Sequence, residues 1–214
     1  MRNSKGVRRG LTLKRQAGAV FLDRDGVINA LVYNSDADIS ESPRTTEEFR
    51  LISGVGTAIR KLNKLGMKVV VVSNQPDVGK GRISERRFNR IREHMHRLLS
   101  RSAARIDAEY YCFHHPKASI RAYRRICPCR KPKPGLLLLA AKDMGISLRK
   151  SYMIGDRPAD ILAGKKAGCM TIWLNDMKCE YCTIMHGLRI QPDLIFRRLP
   201  EAASYIIDSA KRPR

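Results

Sequence analysis

Four short, almost unbroken apolar runs mark the chain: Ala19-Val20-Phe21-Leu22, Val69-Val70-Val71-Val72, Tyr152-Met153-Ile154 and Met170-Thr171-Ile172-Trp173-Leu174. Such runs, rather than strict alternation of apolar and polar residues, predict strands buried on both faces, as in parallel sheets. Helical spacing lies between them. Residues 54–65 precede the second run, and residues 159–167 precede the fourth, with Gly168 closing that helix. Over residues 84–100, Phe88, Ile91, Met95, Leu98 and Leu99 form one apolar stripe, while Arg86, Arg87, Arg90 and Arg97 occupy other faces. Strands alternating with helices predict an α/β fold built on a doubly wound parallel sheet. Residues 1–17 hold six basic residues, no acidic one and the breakers Gly6 and Gly10. They predict a flexible basic arm ahead of a single domain over residues 18–214.

Composition narrows the class. Apolar residues make up 43% of the 214, enough to bury a sizeable core. The longest aliphatic stretches, residues 69–72 and 136–141, fall far short of the ~20 residues that a membrane span requires. The first apolar run ends at once in Asp23-Arg24-Asp25, too soon for a secretory signal. A cytoplasmic monomer with no membrane partner is expected. Forty-two basic residues against 20 acidic leave a net charge of +22, which favours an anionic partner such as a nucleic acid or a phosphorylated metabolite. The arginines of residues 84–100 could track a phosphate backbone, but surface helices ordinarily carry a solvated face of this kind.

Three of the four strands run into polar residues suited to phosphate chemistry: Asp23-Arg24-Asp25-Gly26, Ser73-Asn74-Gln75 and Gly155-Asp156-Arg157. Ligands of open parallel sheets bind beyond the carboxyl ends of the strands, so residues near 23, 73 and 156 are expected to converge. Asp23 can attack phosphorus as a carboxylate nucleophile, and Asp25 can protonate the leaving oxygen and then deprotonate the attacking water. Asp23, Asp25 and Asp156 make a hard oxygen site suited to Mg2+, whose charge offsets the repulsion between nucleophile and phosphate. Ser73 and Asn74 can hydrogen-bond the phosphoryl oxygens, with Gln75 a further substrate-binding candidate, and Lys131 can supply positive charge to the transition state. Gly26 lets the chain turn sharply away. A lone Asp-x-Asp is common in surface turns; the order of the strand-end groups carries the signal.

Cys112-Phe113-His114-His115 and Cys127-Pro128-Cys129 supply thiols and imidazole in two pairs, the number and kind that structural Zn2+ takes. Either histidine could serve. Arg130 and Lys131 follow the last cysteine directly, so a closed zinc site would staple the loop and fix where the lysine points.

Asp23-Arg24-Asp25-Gly26-Val27, Ser73-Asn74, Lys131 and Gly155-Asp156-Arg157-Pro158-Ala159-Asp160 resemble the four signature motifs of the haloacid dehalogenase-like hydrolases, over residues 20–174. The resemblance implies a Rossmann-like fold and Mg2+-dependent hydrolysis of phosphate esters through an aspartyl-phosphate. It implies Asp23 as nucleophile, Asp25 as acid/base and Asp156 as metal ligand, with the main-chain carbonyl at position 25 also on the metal. Asp160 is read as a residue of the following helix ahead of a second acidic contributor. Cys-x-His, a loop, then Cys-x-Cys-Arg-Lys-Pro is similar to the branch of heptose 1,7-bisphosphate 7-phosphatases and histidinol-phosphate phosphatases. That likeness implies His114 as the zinc ligand and Arg130 and Arg157 as substrate contacts. The connections are too short for a large cap domain.

Two departures qualify the specificity. Pro76-Asp77 stands where a serine-glycine pair is typical, and Asn29-Ala30-Leu31-Val32-Tyr33-Asn34 lacks the acidic and histidine residues that contact sugar in that branch. The expected function is a phosphatase acting on a small phosphorylated metabolite, a heptose bisphosphate first and histidinol phosphate second. A nucleic-acid 3′-phosphatase, or a nucleic-acid-binding protein that kept the fold and lost activity, stands behind these; the intact Asp23, Asp25, Lys131 and Asp156 argue against the last. The basic loop 121–133, with six positive residues, could attract substrate. Cys169 and Trp173 read as core residues, and Cys179 and Cys182 as an inert pair ahead of a second metal site. His94, His96 and His186 have no assigned role.

Overall fold

The computed structural model describes residues 17–36, 38–174, 187 and 189–211. Residues 1–16 of the expected arm, Cys179, Cys182 and His186 lie outside the described residues. In chain order the elements are β1 (Ala19–Leu22), β2 (Val32–Asn34), β3 (Ile39–Glu41), α1 (Val55–Lys64), β4 (Lys68–Asn74), the short α2 (Pro76–Gly79) and α3 (Glu85–Ser100). There follow β5 (Ala108–Cys112), α4 (Gly135–Met144), β6 (Tyr152–Gly155), α5 (Pro158–Ala167), β7 (Met170–Leu174), β8 (Leu194–Phe196) and α6 (Leu199–Lys211).

Six strands pair in parallel in the order β5-β4-β1-β6-β7-β8, and β2 and β3 form a separate antiparallel hairpin. The apolar runs are continuous because each strand feeds two cores. Val20, Leu22, Val69 and Val71 point into one layer with residues of α1, α3 and α6. Their neighbours Ala19, Phe21, Val70 and Val72 point into the other, against Leu136, Leu137 and Ala140 of α4 and Ala163 of α5. Full burial of side chains such as Phe21 and Leu22 contributes roughly 1.5–3 kcal/mol each.

The stripe over residues 84–100 becomes α3, with Phe88, Ile91, Met95 and Leu99 buried. Its arginines 86, 87, 90 and 97 are exposed, the solvated face of a core-packed helix. Ser84 caps it by accepting a hydrogen bond from the Arg87 N–H at 3.2 Å, worth about 1 kcal/mol. Four strands escaped the sequence pattern: the β2–β3 hairpin and, in the six-stranded sheet, β5 and β8. β5 carries Glu109 among half-buried positions, and β8 is three residues long with Ile195 exposed. β5 and β8 are the edges of that sheet, where incomplete burial removes the demand for an unbroken apolar run.

Beyond β1 the chain returns in both directions, to β4 and β5 on one side and to β6, β7 and β8 on the other. This is the topological switch point, where strand ends open a crevice. Leu22 stands beside Val71 and Ile154 in register, so the residues that follow these three strands come together. No described helix is long and apolar enough to cross a membrane.

Candidate active site

Asp23 leaves β1 with its N–H on the Ile154 carbonyl at 3.0 Å, which sets it at the mouth of the crevice. Lys131 arrives from the opposite side. Its Nζ lies 3.0 Å from Asp23 Oδ1 and 2.6 Å from Asp160 Oδ1, and donates to the Val72 carbonyl at 2.8 Å. All three charged residues are buried. Carboxylate oxygens of Asp23, Asp156 and Asp160 lie within 4.8 Å of one another. Three acids face one ammonium, and the cluster is short of positive charge. The consequence shows at Asp160: burial, with Asp23 and Asp156 nearby, outweighs the attraction of Lys131 and pushes its carboxyl up to about 7. The Lys131 ammonium moves upward too, because Asp160 and Asp23 outweigh its desolvation. A hard divalent cation would supply what is missing, so the donor set fits Mg2+.

Glycine makes the cluster possible. A Cβ at Gly26, where φ is +83°, would meet Asp156 Oδ2 at 2.2 Å, and one at Gly155 would meet the Asp160 side chain at 2.2 Å. Asp156 is further fixed through its carbonyl, which accepts the Trp173 indole N–H at 3.3 Å. Asp160 is both things that its position allowed. It lies on α5 and accepts the Arg157 N–H at 3.0 Å at the helix start, while its other oxygen meets Lys131.

Several side chains do other work than the sequence suggests. The Asp25 carboxylate, expected on the metal, is outside the cluster of three acids. Its Oδ1 accepts from Arg24 Nε at 3.0 Å and Asn29 Nδ2 at 3.0 Å; its Oδ2 accepts from Arg24 at 3.1 Å, Ser42 Oγ at 2.8 Å and Gln75 Nε2 at 2.7 Å. Burial opposes its charge, but Arg24 and the hydrogen bonds from Gln75, Ser42 and Asn29 win, holding the carboxyl below its ordinary range. Asn74, expected on phosphate, instead clasps the main chain of Lys131, donating to its carbonyl at 3.0 Å and accepting its N–H at 3.0 Å. Gln75, also expected on substrate, spends its amide on Asp25, Ser73 and Arg24. Ser73 only accepts in this network, so its hydroxyl proton remains to be donated. Arg130 reaches the His114 carbonyl at 3.3 Å, and Arg157 is exposed at the start of α5.

Sequence reasoning gave no role to Arg24, Asn29 and Ser42. Arg24 is 1% exposed, and its guanidinium lies over the Phe88 ring, 5.5 Å from its centroid. An arginine between two aspartates at a buried strand end is a readable sign of such a pair. Ser42 carries no comparable signal.

Cys112, His114, Cys127 and Cys129 lie together. In register beside Asn74, Cys112 ends β5. Sulfur separations are 3.5 Å for Cys112–Cys127, 3.2 Å for Cys112–Cys129 and 3.0 Å for Cys127–Cys129. His114 Nδ1 lies 3.7 Å from Cys112 and 3.3 Å from Cys129. Bonds of ~2.3 Å to a tetrahedral zinc put ligands about 3.8 Å apart, so this quartet fits with little movement. His115 is turned away, accepting the Lys117 N–H at 3.0 Å. The other singled-out side chains are structural. Cys169 is a buried thiol that desolvation pushes up to about 12, Trp173 is in the core, His94 packs edge-on to Phe49, and His96 pairs with Glu109 at 3.2 Å.

Comparison with known proteins agrees with this geometry. Residues 128–202 match the HAD-hydrolase-like family model. A D-glycero-beta-D-manno-heptose-1,7-bisphosphate 7-phosphatase of Salmonella typhi is 38% identical over 162 residues, covering 74% of this chain and 80% of that protein. The enzyme of the same name from Vibrio cholerae is 37% identical over 153 residues, covering 72% of this chain and 78% of that protein. Among solved structures, the D,D-heptose 1,7-bisphosphate phosphatase of B. bronchiseptica, complexed with magnesium and phosphate, matches with a TM-score of 0.75. It is 26% identical, over 90% of this chain and 99% of that one.

Proposed function

The chain belongs to the haloacid dehalogenase-like phosphatases, a family of phosphoric monoester hydrolases, and on that premise we propose that it is a Mg2+-dependent D-glycero-D-manno-heptose 1,7-bisphosphate 7-phosphatase. The observation that carries the reading is the placement of the Lys131 ammonium 3.0 Å from Asp23, with Asp156 and Asp160 beside them. The substrate is carried by the names of the relatives, two of which are 38% and 37% identical.

Asp23 is the nucleophile: its Oδ1 is pinned by the Arg24 N–H at 2.8 Å and by Lys131, which leaves the carboxylate aimed from the strand end. The aspartyl-phosphate forms on Asp23. Asp25, protonated as the ester binds, gives that proton to the departing sugar oxygen and recovers one from the water that releases phosphate. Lys131 and the Ser73 hydroxyl stabilise negative charge on the phosphoryl oxygens, while Asn74 fixes the main chain of Lys131 and Gln75 orients the Asp25 carboxylate. Asp23, Asp156 and the main-chain carbonyl of Asp25, with the buried Asp160 beside them, would hold Mg2+, which when bound offsets the repulsion between carboxylate and phosphate. Cys112, His114, Cys127 and Cys129 would hold Zn2+ as a scaffold, two residues before Lys131. Arg130 and Arg157 are the candidate contacts to the rest of the substrate.

A phosphate-release screen tests the reading, over heptose 1,7-bisphosphate, histidinol phosphate and 3′-phosphorylated oligonucleotides. Heptose bisphosphate should turn over with the highest kcat/KM, and Asp23→Asn should abolish release while leaving the circular dichroism unchanged. Near-normal turnover in that variant would remove the covalent mechanism, and preference for another ester would remove the substrate assignment.

A further inference from the structure

Asp25 is held from two directions. Arg24 and Asn29 are its chain neighbours, and Gln75 follows β4, so these three partners belong to the rigid switch point. Ser42 does not. It stands at the foot of the β2–β3 hairpin, which among the described residues pairs with no strand of the six-stranded sheet and leaves Tyr33 and Ile39 exposed. The hairpin foot is nevertheless tied down. Glu41 Oε1 meets Arg44 at 2.7 Å and Arg82 at 2.9 Å, and Asp77 meets the same two arginines at 3.2 and 3.3 Å. The four charges alternate in sign around a ring. Two come from the hairpin foot, flanking Ser42, and two from α2 and the turn after it, directly beyond Gln75.

We propose that Ser42 is a positioning residue for Asp25, and that the Glu41–Arg44–Asp77–Arg82 ring is the clasp that keeps it within reach. The inference rests on Asp25 being the acid/base. An acid protonates only a leaving oxygen that it faces, and the orientation of a carboxyl is set by the hydrogen bonds in its plane. Three donors converge on Oδ2: Arg24, Gln75 and, at 2.8 Å, Ser42. Ser42 also favours the charged form, so its loss makes the carboxyl easier to protonate. A slower heptose reaction therefore reports lost orientation rather than a lost proton: the carboxyl can rotate out of line, and only reactions that need its proton suffer. The clasp makes that alignment depend on contact between the hairpin and α2. Its arginines are partly exposed, so each ion pair alone is weak, and the ring acts through the closure of all four.

The test separates positioning from general damage by leaving group. The ratio kcat/KM reports events up to the first irreversible step, transfer of the phosphoryl group to Asp23. An alkoxide leaving from heptose 1,7-bisphosphate needs a proton; p-nitrophenolate does not. Ser42→Ala should lower kcat/KM for the heptose ester about tenfold, the worth of one hydrogen bond to a charged group, and for p-nitrophenyl phosphate by less than about twofold. Ser42→Thr should restore the heptose rate. Arg82→Ala, at a partly exposed position where folding is safe, should give the same selective loss at about threefold. Equal losses on both esters, or none on either, overturn the proposal. Asp25→Asn is the control: if it too spares the heptose ester, the acid/base reading fails, whereas a selective loss there without one in Ser42→Ala refutes only the role of Ser42.

Discussion

Replacing Lys131 with methionine keeps most of the side-chain volume and removes one positive charge from a site of three acids. The ammonium lies 3.0 Å from Asp23, 2.6 Å from Asp160 and 2.8 Å from the Val72 carbonyl, and Lys131 is 3% exposed. Breaking a buried pair by deleting one partner costs about 3–5 kcal/mol, because the other partner remains charged out of water. Here two carboxylates and a carbonyl are left behind. In metal-free protein, urea unfolding should show that loss as a midpoint lowered by ~1–3 M at unchanged slope. Adding Asp160→Asn to Lys131→Met should return at least about 1 kcal/mol, since it removes one of the stranded charges; the two changes are in contact and should not add. Phosphate release should stay lost in both, by ~100-fold or more, for want of a cation at the phosphoryl oxygens. A destabilisation under about 1 kcal/mol, or strict additivity in the double variant, would refute the claim that this ammonium balances the acid cluster.

The same cluster predicts a pH dependence. The folded protein holds the Asp160 proton up to about 7 whereas the ordinary value is 3.8, so in that window the unfolded chain binds fewer protons and metal-free stability falls as pH rises. Thermal melts from pH 4 to 8 should show the decline flattened by Mg2+ and by Asp160→Asn; a stability that rises through this range contradicts the assignment. Metal analysis should find about one equivalent of zinc, lost when Cys127 and Cys129 are both replaced by serine, with activity falling as the loop bearing Lys131 loosens. Wild-type protein free of zinc, purified without chelator, would remove the staple. Gly26→Ala puts a Cβ 2.2 Å from Asp156 Oδ2 at a φ of +83°, and should raise the Mg2+ concentration needed for half-maximal activity by tenfold or more (~1.4 kcal/mol) while the protein still folds. Unchanged Mg2+ dependence would show that Asp156 is not constrained by this contact.

Local pattern was enough to declare the frame. Strands β1, β4, β6 and β7 announce themselves because parallel strands covered on both faces must be apolar at every position, and α3 does so because a helix on a sheet needs a single stripe. That Asp23, Asp156 and Lys131 come together, and that Cys112, His114, Cys127 and Cys129 do, could be read from their order along the chain, because the ends of parallel strands are where the fold collects polar residues. Edge strands β5 and β8 were not legible, since their positions are only partly buried and leave no apolar run to see.

Tertiary structure alone decided how the polar side chains divide their hydrogen bonds. From the sequence, Asn74 and Gln75 are amides at a strand end, free to meet phosphate. In the folded chain one is taken up by the main chain of Lys131 and the other by Asp25, because a buried carboxylate and a buried loop must be satisfied before a ligand arrives. Asp160 gained a place beside Lys131 for the same reason, and Ser42 reaches Asp25 across 17 residues of chain through a hairpin whose placement no periodicity encodes. Periodicity records which face a residue buries; partners separated in sequence are chosen only when the whole set of buried charges and donors is brought together and balanced.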